Sequence, residues 1–173
     1  MTTGTYLEID GRPALRFVRE YPDTVDRLWA AVSDPTELTA WFPARVAFPD
    51  AGSPGRGATV TFTFTAEGDG GSGTVLACDP PSRLVFTWGG DELRFEITPL
   101  KAGARLAFTT LLDGRDTAAR TAAGWEVCLE ALDAALAGRV APRTDGPTPE
   151  WRRHYDDFVA AGVPAGAPIP GAD

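Results

Sequence analysis

A chain of 173 residues is long enough for one folded domain with a short appendage, and its 43% hydrophobic and 23% charged residues exclude a largely disordered polypeptide. Sixteen basic and 24 acidic residues give a formal charge of -8, which disfavours binding to nucleic acid and to anionic membrane surfaces. No segment has the roughly 18 consecutive apolar residues that span a membrane, and residues 1–10 lack the pattern of a signal peptide. We therefore expect a cytoplasmic protein with no membrane and no nucleic-acid partner.

The chain opens with a predicted hairpin and two short helices. Residues 6–21 read as two strands around Asp10-Gly11, a dipeptide that readily adopts the positive φ of a tight turn. An apolar stripe over residues 25–32 indicates one short amphipathic helix. Asp34-Pro35-Thr36-Glu37 then has the form of a capping box, which predicts a second short helix running to about Trp41-Phe42.

Five strand-like segments follow between residues 58 and 109, where apolar side chains alternate with polar ones. They predict an antiparallel sheet with one apolar face. The run Gly68–Gly73 has the spacing of a dinucleotide-binding fingerprint, but that motif works by aiming a helix N-terminus at pyrophosphate, and here a strand follows. We expect this run to form a flexible hairpin loop.

A long amphipathic helix is predicted from Asp116 to about Ala137, with an apolar stripe and with Glu126 on its polar side. It provides the cover that the apolar face of the sheet needs. We divide the chain into a domain of residues 1–140 and a Pro/Gly-rich extension of residues 141–173 that contains one short helix, about residues 149–161. Three side chains of that helix are expected to dock on the domain or on a second subunit: Trp151, Tyr155 and Phe158.

A set of residues spread over about Leu15 to Leu136 carries a resemblance to a known superfamily. It comprises Leu15-Arg16-Phe17 through Trp29, Ser33-Asp34-Pro35-Thr36-Glu37-Leu38 with Trp41-Phe42, Gly73-Thr74-Val75 with Pro80-Pro81, Arg83-Leu84 and Thr87-Trp88, and Gly124-Trp125 with Leu129 and Leu132. In these residues and in its order of elements, the chain resembles the START-like (SRPBCC) superfamily, in the branch similar to the C-terminal domain of the activator of the heat-shock-protein-90 ATPase. The resemblance implies an α+β helix-grip fold, in which a curved antiparallel sheet wraps around a long C-terminal helix and two short helices follow the first strands.

The resemblance also implies an apolar cavity between the sheet and the long helix, which this superfamily uses for lipids, hormones, polyketides and other apolar molecules. Burial of each aromatic side chain stabilises a fold by about 2 kcal/mol, so core packing alone also accounts for the aromatic residues. If their rings pack on one another, the site shrinks to a surface groove. The side chains that we expect to contact a ligand are Trp41, Phe42, Phe62, Phe64, Phe86, Trp88, Phe95, Phe108, Trp125 and Leu129.

The residue types give no catalytic or metal-binding signature. His154 is the single histidine, and we expect it to be a solvated residue of the last helix, which excludes a histidine-based triad or a multi-histidine metal site. Cys78 and Cys128 have no metal-ligand spacing and are interpreted as buried thiols. Some relatives have a histidine near the end of the last strand, where this chain has Thr109-Thr110. We expect no catalytic residue, no cofactor and no metal.

Three functions stay open. The first is binding of a small hydrophobic or amphipathic molecule in the cavity. The second is an enzyme of cyclase, hydratase or hydrolase type that uses the same cavity, for which a buried carboxylate with a raised pKa would be the sign. The third is an interaction module for a chaperone or another protein, for which a large exposed apolar patch would be the sign. A homodimer is compatible with each.

Overall fold

The computed structural model of the protein describes residues 4–50, 52–64, 68–142, 146–169 and 171. Within these ranges eight antiparallel strands form one curved sheet, and a long helix covers its apolar face. The strands are β1 (Gly4–Ile9), β2 (Arg12–Tyr21), β3 (Arg45–Ala47), β4 (Thr59–Thr63), β5 (Asp69–Asp79), β6 (Arg83–Trp88), β7 (Asp91–Leu100) and β8 (Gly103–Leu111), in the order β1-β2-β8-β7-β6-β5-β4-β3. The helices are α1 (Val25–Ser33), α2 (Pro35–Leu38), α3 (Ala118–Leu136) and α4 (Pro149–Ala160). This architecture confirms the predicted α+β helix-grip fold.

The opening hairpin and the helix caps follow the sequence closely. Asp10 and Gly11 both have positive φ, 50° and 78°, as the predicted turn between β1 and β2 requires. The Thr24 hydroxyl accepts a hydrogen bond from the backbone N–H of Arg27 at 3.2 Å, and this caps α1. The Asp34 carboxylate accepts from the N–H of Thr36 at 2.8 Å and starts α2 in the same way.

Helix α2 ends at Leu38, one turn earlier than predicted. The chain turns there and directs both Trp41 and Phe42 into the core, where they are 3% and 0% exposed. The Trp41 indole N–H donates to the carbonyl oxygen of Ala31 at 2.8 Å, which fastens this turn to α1. A continued helix would place these adjacent residues about 100° apart around its axis, so burial of both rings favours the turn.

The glycine-rich run is a strand rather than the predicted loop, since β5 begins at Asp69. A Cβ atom on Gly70 would lie 2.8 Å from the carbonyl oxygen of Phe62, and one on Gly73 would lie 1.8 Å from that of Thr87. Neither position has room for a side chain. The glycines therefore let β5 approach its neighbouring strands closely, which is a structural role that their spacing alone does not show.

One side of the interface between the sheet and α3 is polar. Glu126 was expected on the polar side of the helix, but its side chain is only 1% exposed and its carboxylate lies 2.6 Å from the guanidinium of Arg19 on β2. Arg19 also pairs with Asp133, which accepts a hydrogen bond from the Tyr21 hydroxyl at 2.7 Å. Burial, followed by the bond to Asp133, raises the pKa of Tyr21 above its usual range. A charged cluster thus joins the sheet to α3.

Helix α4 packs against α3, as its apolar stripe predicted, and Phe158 is 1% exposed within the main core. The prediction that His154 is solvated is wrong. Its side chain is buried against α3, and its Nε2 lies 2.9 Å from Oε1 of Glu130. The segment after α4 also contacts α3, because the Pro164 carbonyl accepts a hydrogen bond from the N–H of Ala119 at 2.9 Å. None of the described helices is long and apolar enough to cross a membrane.

Candidate functional site: an aromatic cleft

The space directly between the sheet and α3 is filled by aromatic rings. Phe95 and Phe108 are paired across β7 and β8, with ring centroids 4.8 Å apart, and Trp125 on α3 meets Phe108 edge-on at 4.7 Å. Beside them Phe62 stacks on Trp88 at 4.7 Å. Such distances and angles are those of packed aromatic pairs. The deep interior is therefore a packed core.

An open cleft lies beside this packed core. Its volume is about 1410 Å³, and it is partly open to solvent. Its walls are the segment from Thr39 to Arg45, the adjoining ends of the strands, one face of α3, and residues that lead into and begin α4. We call this space the aromatic cleft, since its aromatic lining residues are Trp41, Phe42, Phe64, Trp88, Trp125 and Trp151.

The ten predicted ligand contacts separate into two groups of five. Trp41, Phe42, Phe64, Trp88 and Trp125 line the aromatic cleft, and three of them, Trp41, Phe42 and Trp125, are at the same time almost completely buried members of the core. The other five lie in the packed core, each at most 1% exposed: Phe62, Phe86, Phe95, Phe108 and Leu129.

Phe64 is the exposed member of the aromatic lining, and Trp88 lies beside it. Strand β4 ends at Thr63, so Phe64 leaves the inward alternation of the strand and its side chain is 58% exposed. Its ring lies 5.8 Å from that of half-buried Trp88, whose indole N–H donates to the Gly70 carbonyl oxygen at 2.8 Å. The glycine strand therefore fixes the orientation of Trp88, and Phe64 extends the aromatic surface outwards.

Three charged side chains of the described residues line the cleft, namely Arg45, Asp91 and Arg120. Burial raises the pKa of the Asp91 carboxyl above its usual value, although the backbone N–H of Asp113 donates to it at 2.9 Å. Arg120 donates to the carbonyl oxygen of Pro168, so it also holds the C-terminal segment against α3. The cleft thus combines an apolar lining with a few polar groups, a composition typical of sites for small molecules.

Gly124 gives the cleft a flat patch of helix backbone. Among the described residues, a Cβ atom there would meet only the indole nitrogen of Trp151 within 4 Å, at 3.8 Å, which is an ordinary contact distance. The packing of the chain therefore leaves room for alanine at this position. Because glycine inside a helix costs about 1 kcal/mol relative to alanine, packing within the chain does not explain this residue.

Sequence reasoning did not identify Arg45, Asp91, Arg120, Gly124 or Trp151 as cleft residues. Gly124 was noted as part of the family resemblance, and Trp151 was expected to dock without reference to a cleft. The signal for Gly124 was its position inside a long helical pattern, where glycine is unfavourable. The charged residues gave no local signal, because they come from three separate segments that only the folded chain brings together.

Comparison with solved structures gives relatives of the same architecture. The solution structure of CalU16 from Micromonospora echinospora is 22% identical, with 92% of this chain and 90% of that chain covered and a TM-score of 0.70. A protein encoded by gene BPP1335 of Bordetella parapertussis is 26% identical, with coverage of 88% and 87% and a TM-score of 0.64. DynU16, from the dynemicin biosynthetic locus, is 25% identical, with 73% of this chain and 48% of that chain covered and a TM-score of 0.60.

Sequence comparison assigns the family. No curated protein sequence matches the chain. The family model described as "Activator of Hsp90 ATPase homolog 1-like protein" matches residues 23–137, which is more than half of the chain and includes α1 to α3. The chain therefore belongs to the Activator of Hsp90 ATPase homolog 1-like family and has its SRPBCC fold, as the resemblance in the sequence predicted.

Proposed function

We propose that the protein binds a small hydrophobic or amphipathic molecule in the aromatic cleft. The proposal differs in one respect from the expectation of a cavity enclosed between the sheet and the long helix, because aromatic rings fill that space and the open volume lies beside it. Of the five predicted residues that line the cleft, we propose Phe64 and Trp88 as direct ligand contacts. Trp41, Phe42 and Trp125 are 3%, 0% and 6% exposed and support the lining from the core side.

Phe64 gives the proposal its main support. A phenylalanine that is 58% exposed leaves a large apolar surface in water, and it does so inside a concave site and next to a second aromatic ring. Covering such a surface with an apolar ligand is favourable in proportion to the area removed from water. Gly124 adds a second argument, since the missing side chain leaves space that a ligand can occupy.

The first test is a change at Phe64. We expect Phe64→Gln to weaken binding of N-phenyl-1-naphthylamine, a neutral apolar fluorescent probe, by about tenfold, because covering the ring contributes about 1.4 kcal/mol. The measurement is a fluorescence titration of purified protein. Native mass spectrometry of freshly purified protein complements it by detecting any molecule that remains bound.

Leu76→Gln is the matched control for this test. Leu76 is also an exposed apolar residue, 42% exposed on β5, but it does not line the cleft. We expect it to leave probe binding unchanged. Equal affinity of wild type and Phe64→Gln, or equal weakening in both variants, would contradict a binding site in the aromatic cleft.

Asp91 favours a second candidate function, an enzyme of the cyclase or hydrolase type. It is a partly buried carboxyl in the wall of the cleft, and its raised pKa brings it nearer to neutral pH, where a general acid or base works best. A carboxyl with a raised pKa in the cleft is the feature that the enzyme hypothesis calls for, and Asp91 has this feature although it is only partly buried.

Hydrolysis of p-nitrophenyl butyrate tests this second candidate. Asp91→Asn keeps the oxygen that accepts from the N–H of Asp113 and removes the proton-transfer group. If Asp91 is a general acid or base, the variant loses about 100-fold or more of the rate. A rate equal to that of wild type, or no hydrolysis above buffer by the wild type, counts against an esterase-like activity.

No comparable observation favours the third function, an interaction module for a chaperone or another protein. The large apolar side chains exposed in the described ranges come from separate elements and connecting segments, and no two of them are adjacent in sequence: Val18, Phe64, Leu76, Val140 and Val159. Single exposed apolar residues are normal on a protein surface.

A further inference from the structure

The described charged side chains that line the aromatic cleft carry a net charge opposite in sign to that of the whole chain. The full sequence has a formal charge of -8. The charged residues that line the cleft in the described part of the chain are two arginines and one aspartate, Arg45, Arg120 and Asp91. A positive lining attracts anions locally, although the field of the remaining acidic surface repels them.

The two arginines are positioned in different ways. Arg45 begins β3, its side chain is exposed, and it forms no ion pair with another described residue. Arg120 lies in the first turns of α3, half-buried, where it donates to the Pro168 carbonyl oxygen. A guanidinium has five N–H donors, so this contact leaves donors of Arg120 for a ligand.

Asp91 offsets the positive charge only in part. Burial disfavours its ionised form, whereas an arginine stays protonated at any pH at which the protein is folded. Two arginines against one aspartate leave the described lining with a net positive charge even when Asp91 is ionised, and an acidic group that reaches an arginine gains charge-assisted hydrogen bonds.

We propose that the ligand of the aromatic cleft is an amphipathic anion, whose apolar body contacts the aromatic rings and whose acidic group pairs with Arg45 and Arg120. This inference rests on the proposed function and names the chemical class of its ligand. An acid with an apolar body satisfies both parts of the lining, whereas a neutral hydrocarbon would not use the remaining N–H donors of Arg45 and Arg120.

Two probes with the same ring system test this inference. N-phenyl-1-naphthylamine is neutral, and 8-anilinonaphthalene-1-sulfonate is the same molecule with a sulfonate group. We expect Arg45→Gln and Arg120→Gln each to weaken binding of the sulfonate about tenfold, as for loss of a hydrogen bond to a charged group. Binding of the neutral probe stays within about twofold of wild type, because its apolar contacts are unchanged.

Three comparisons make the test specific. Arg16→Gln removes the same charge from the exposed face of β2, outside the cleft, and should leave both probes unaffected. Arg120→Lys retains the charge and should recover much of the affinity for the sulfonate. Raising NaCl from roughly 0.05 to 0.5 M should weaken binding of the sulfonate and not of the neutral probe. Melting curves of each variant establish that it is folded.

The outcomes separate the two proposals. If both probes bind and Phe64→Gln weakens them, but Arg45→Gln and Arg120→Gln leave the sulfonate unaffected, the cleft binds apolar molecules and the anionic class is wrong. If Arg16→Gln weakens the sulfonate as much as the cleft variants do, general surface charge accounts for the effect and the inference fails. If neither probe binds in a saturable way, the proposed function fails, and the inference fails with it.

Discussion

Replacement of Arg19 by methionine is expected to lower the free energy of unfolding by about 3–5 kcal/mol, one of the two largest effects that the structure predicts. Arg19 is a residue of β2, and its guanidinium pairs with Glu126 and Asp133 on α3. The Glu126 side chain is only 1% exposed, so loss of this arginine removes the guanidinium that lies 2.6 Å from a buried carboxylate. Urea denaturation at pH 7, followed by circular dichroism, measures the change.

Two further variants show whether the loss comes from a buried charge. The double variant Arg19→Met with Glu126→Leu removes both charges, and we expect it to recover most of the stability, since an apolar pair of similar size can replace a buried ion pair. Arg105→Met breaks an exposed pair with Glu20 on the same sheet, in which the side chains are 45% and 57% exposed. It should cost at most about 1 kcal/mol. Equal losses for Arg19→Met and Arg105→Met would contradict the prediction.

The second large effect is expected for replacement of Phe158 by alanine, which should also lower the free energy of unfolding by about 3–5 kcal/mol. Its ring is 1% exposed, belongs to the main core, and lies so close to β1 that a Cβ on Gly4 would be 3.0 Å from its Cζ atom. The substitution leaves a cavity between α4 and the sheet. For a protein of this size the melting temperature should fall by roughly 10 °C, measured by differential scanning calorimetry.

Val159→Ala is the control for Phe158→Ala, because Val159 is the next residue of the same helix and is 43% exposed. Its effect should stay within about 0.5 kcal/mol. Deletion of residues 139–173 removes Phe158 together with the Pro164 carbonyl that accepts from Ala119, so the destabilisation should be at least as large as for the point variant. A melting temperature unchanged by both the deletion and Phe158→Ala would rule out a stabilising role for the extension.

The interface of α3 with α4 shows what the spacing of apolar residues predicts and what it misses. Apolar residues spaced by three and four positions predicted α4 to within one residue of its end, and they predicted Phe158 as a docking residue. It did not identify His154, which is 3% exposed and hydrogen-bonded to Glu130, nor the burial of Glu126. A polar residue on a helix is assigned to solvent by default, and only a partner on another element, such as Arg19, makes its burial favourable.

The candidate site was predictable only in part. The aromatic residues were visible in the sequence, but whether each ring packs in the core or lines an opening depends on contacts between distant segments. Phe62 and Phe64 show the difference, since they are two residues apart in the chain and are 1% and 58% exposed. The strand ends between them, and a register irregularity in its pairing with β5 accompanies this change.

The sequence by itself determined most of the architecture of this protein: seven of the eight strands of the described residues and their alternation, the capped starts of the short helices, the long covering helix and the family. These features depend on short-range patterns, because a turn, a cap or an amphipathic stripe is encoded within a few neighbouring residues. The sequence did not predict the three-residue strand β3. Tertiary structure decided that aromatic rings fill the space beneath α3, that the open cleft lies beside them, and that Arg45, Asp91 and Arg120 line that cleft. Packing and electrostatics join residues far apart in the chain, so the three-dimensional arrangement was needed to locate the site.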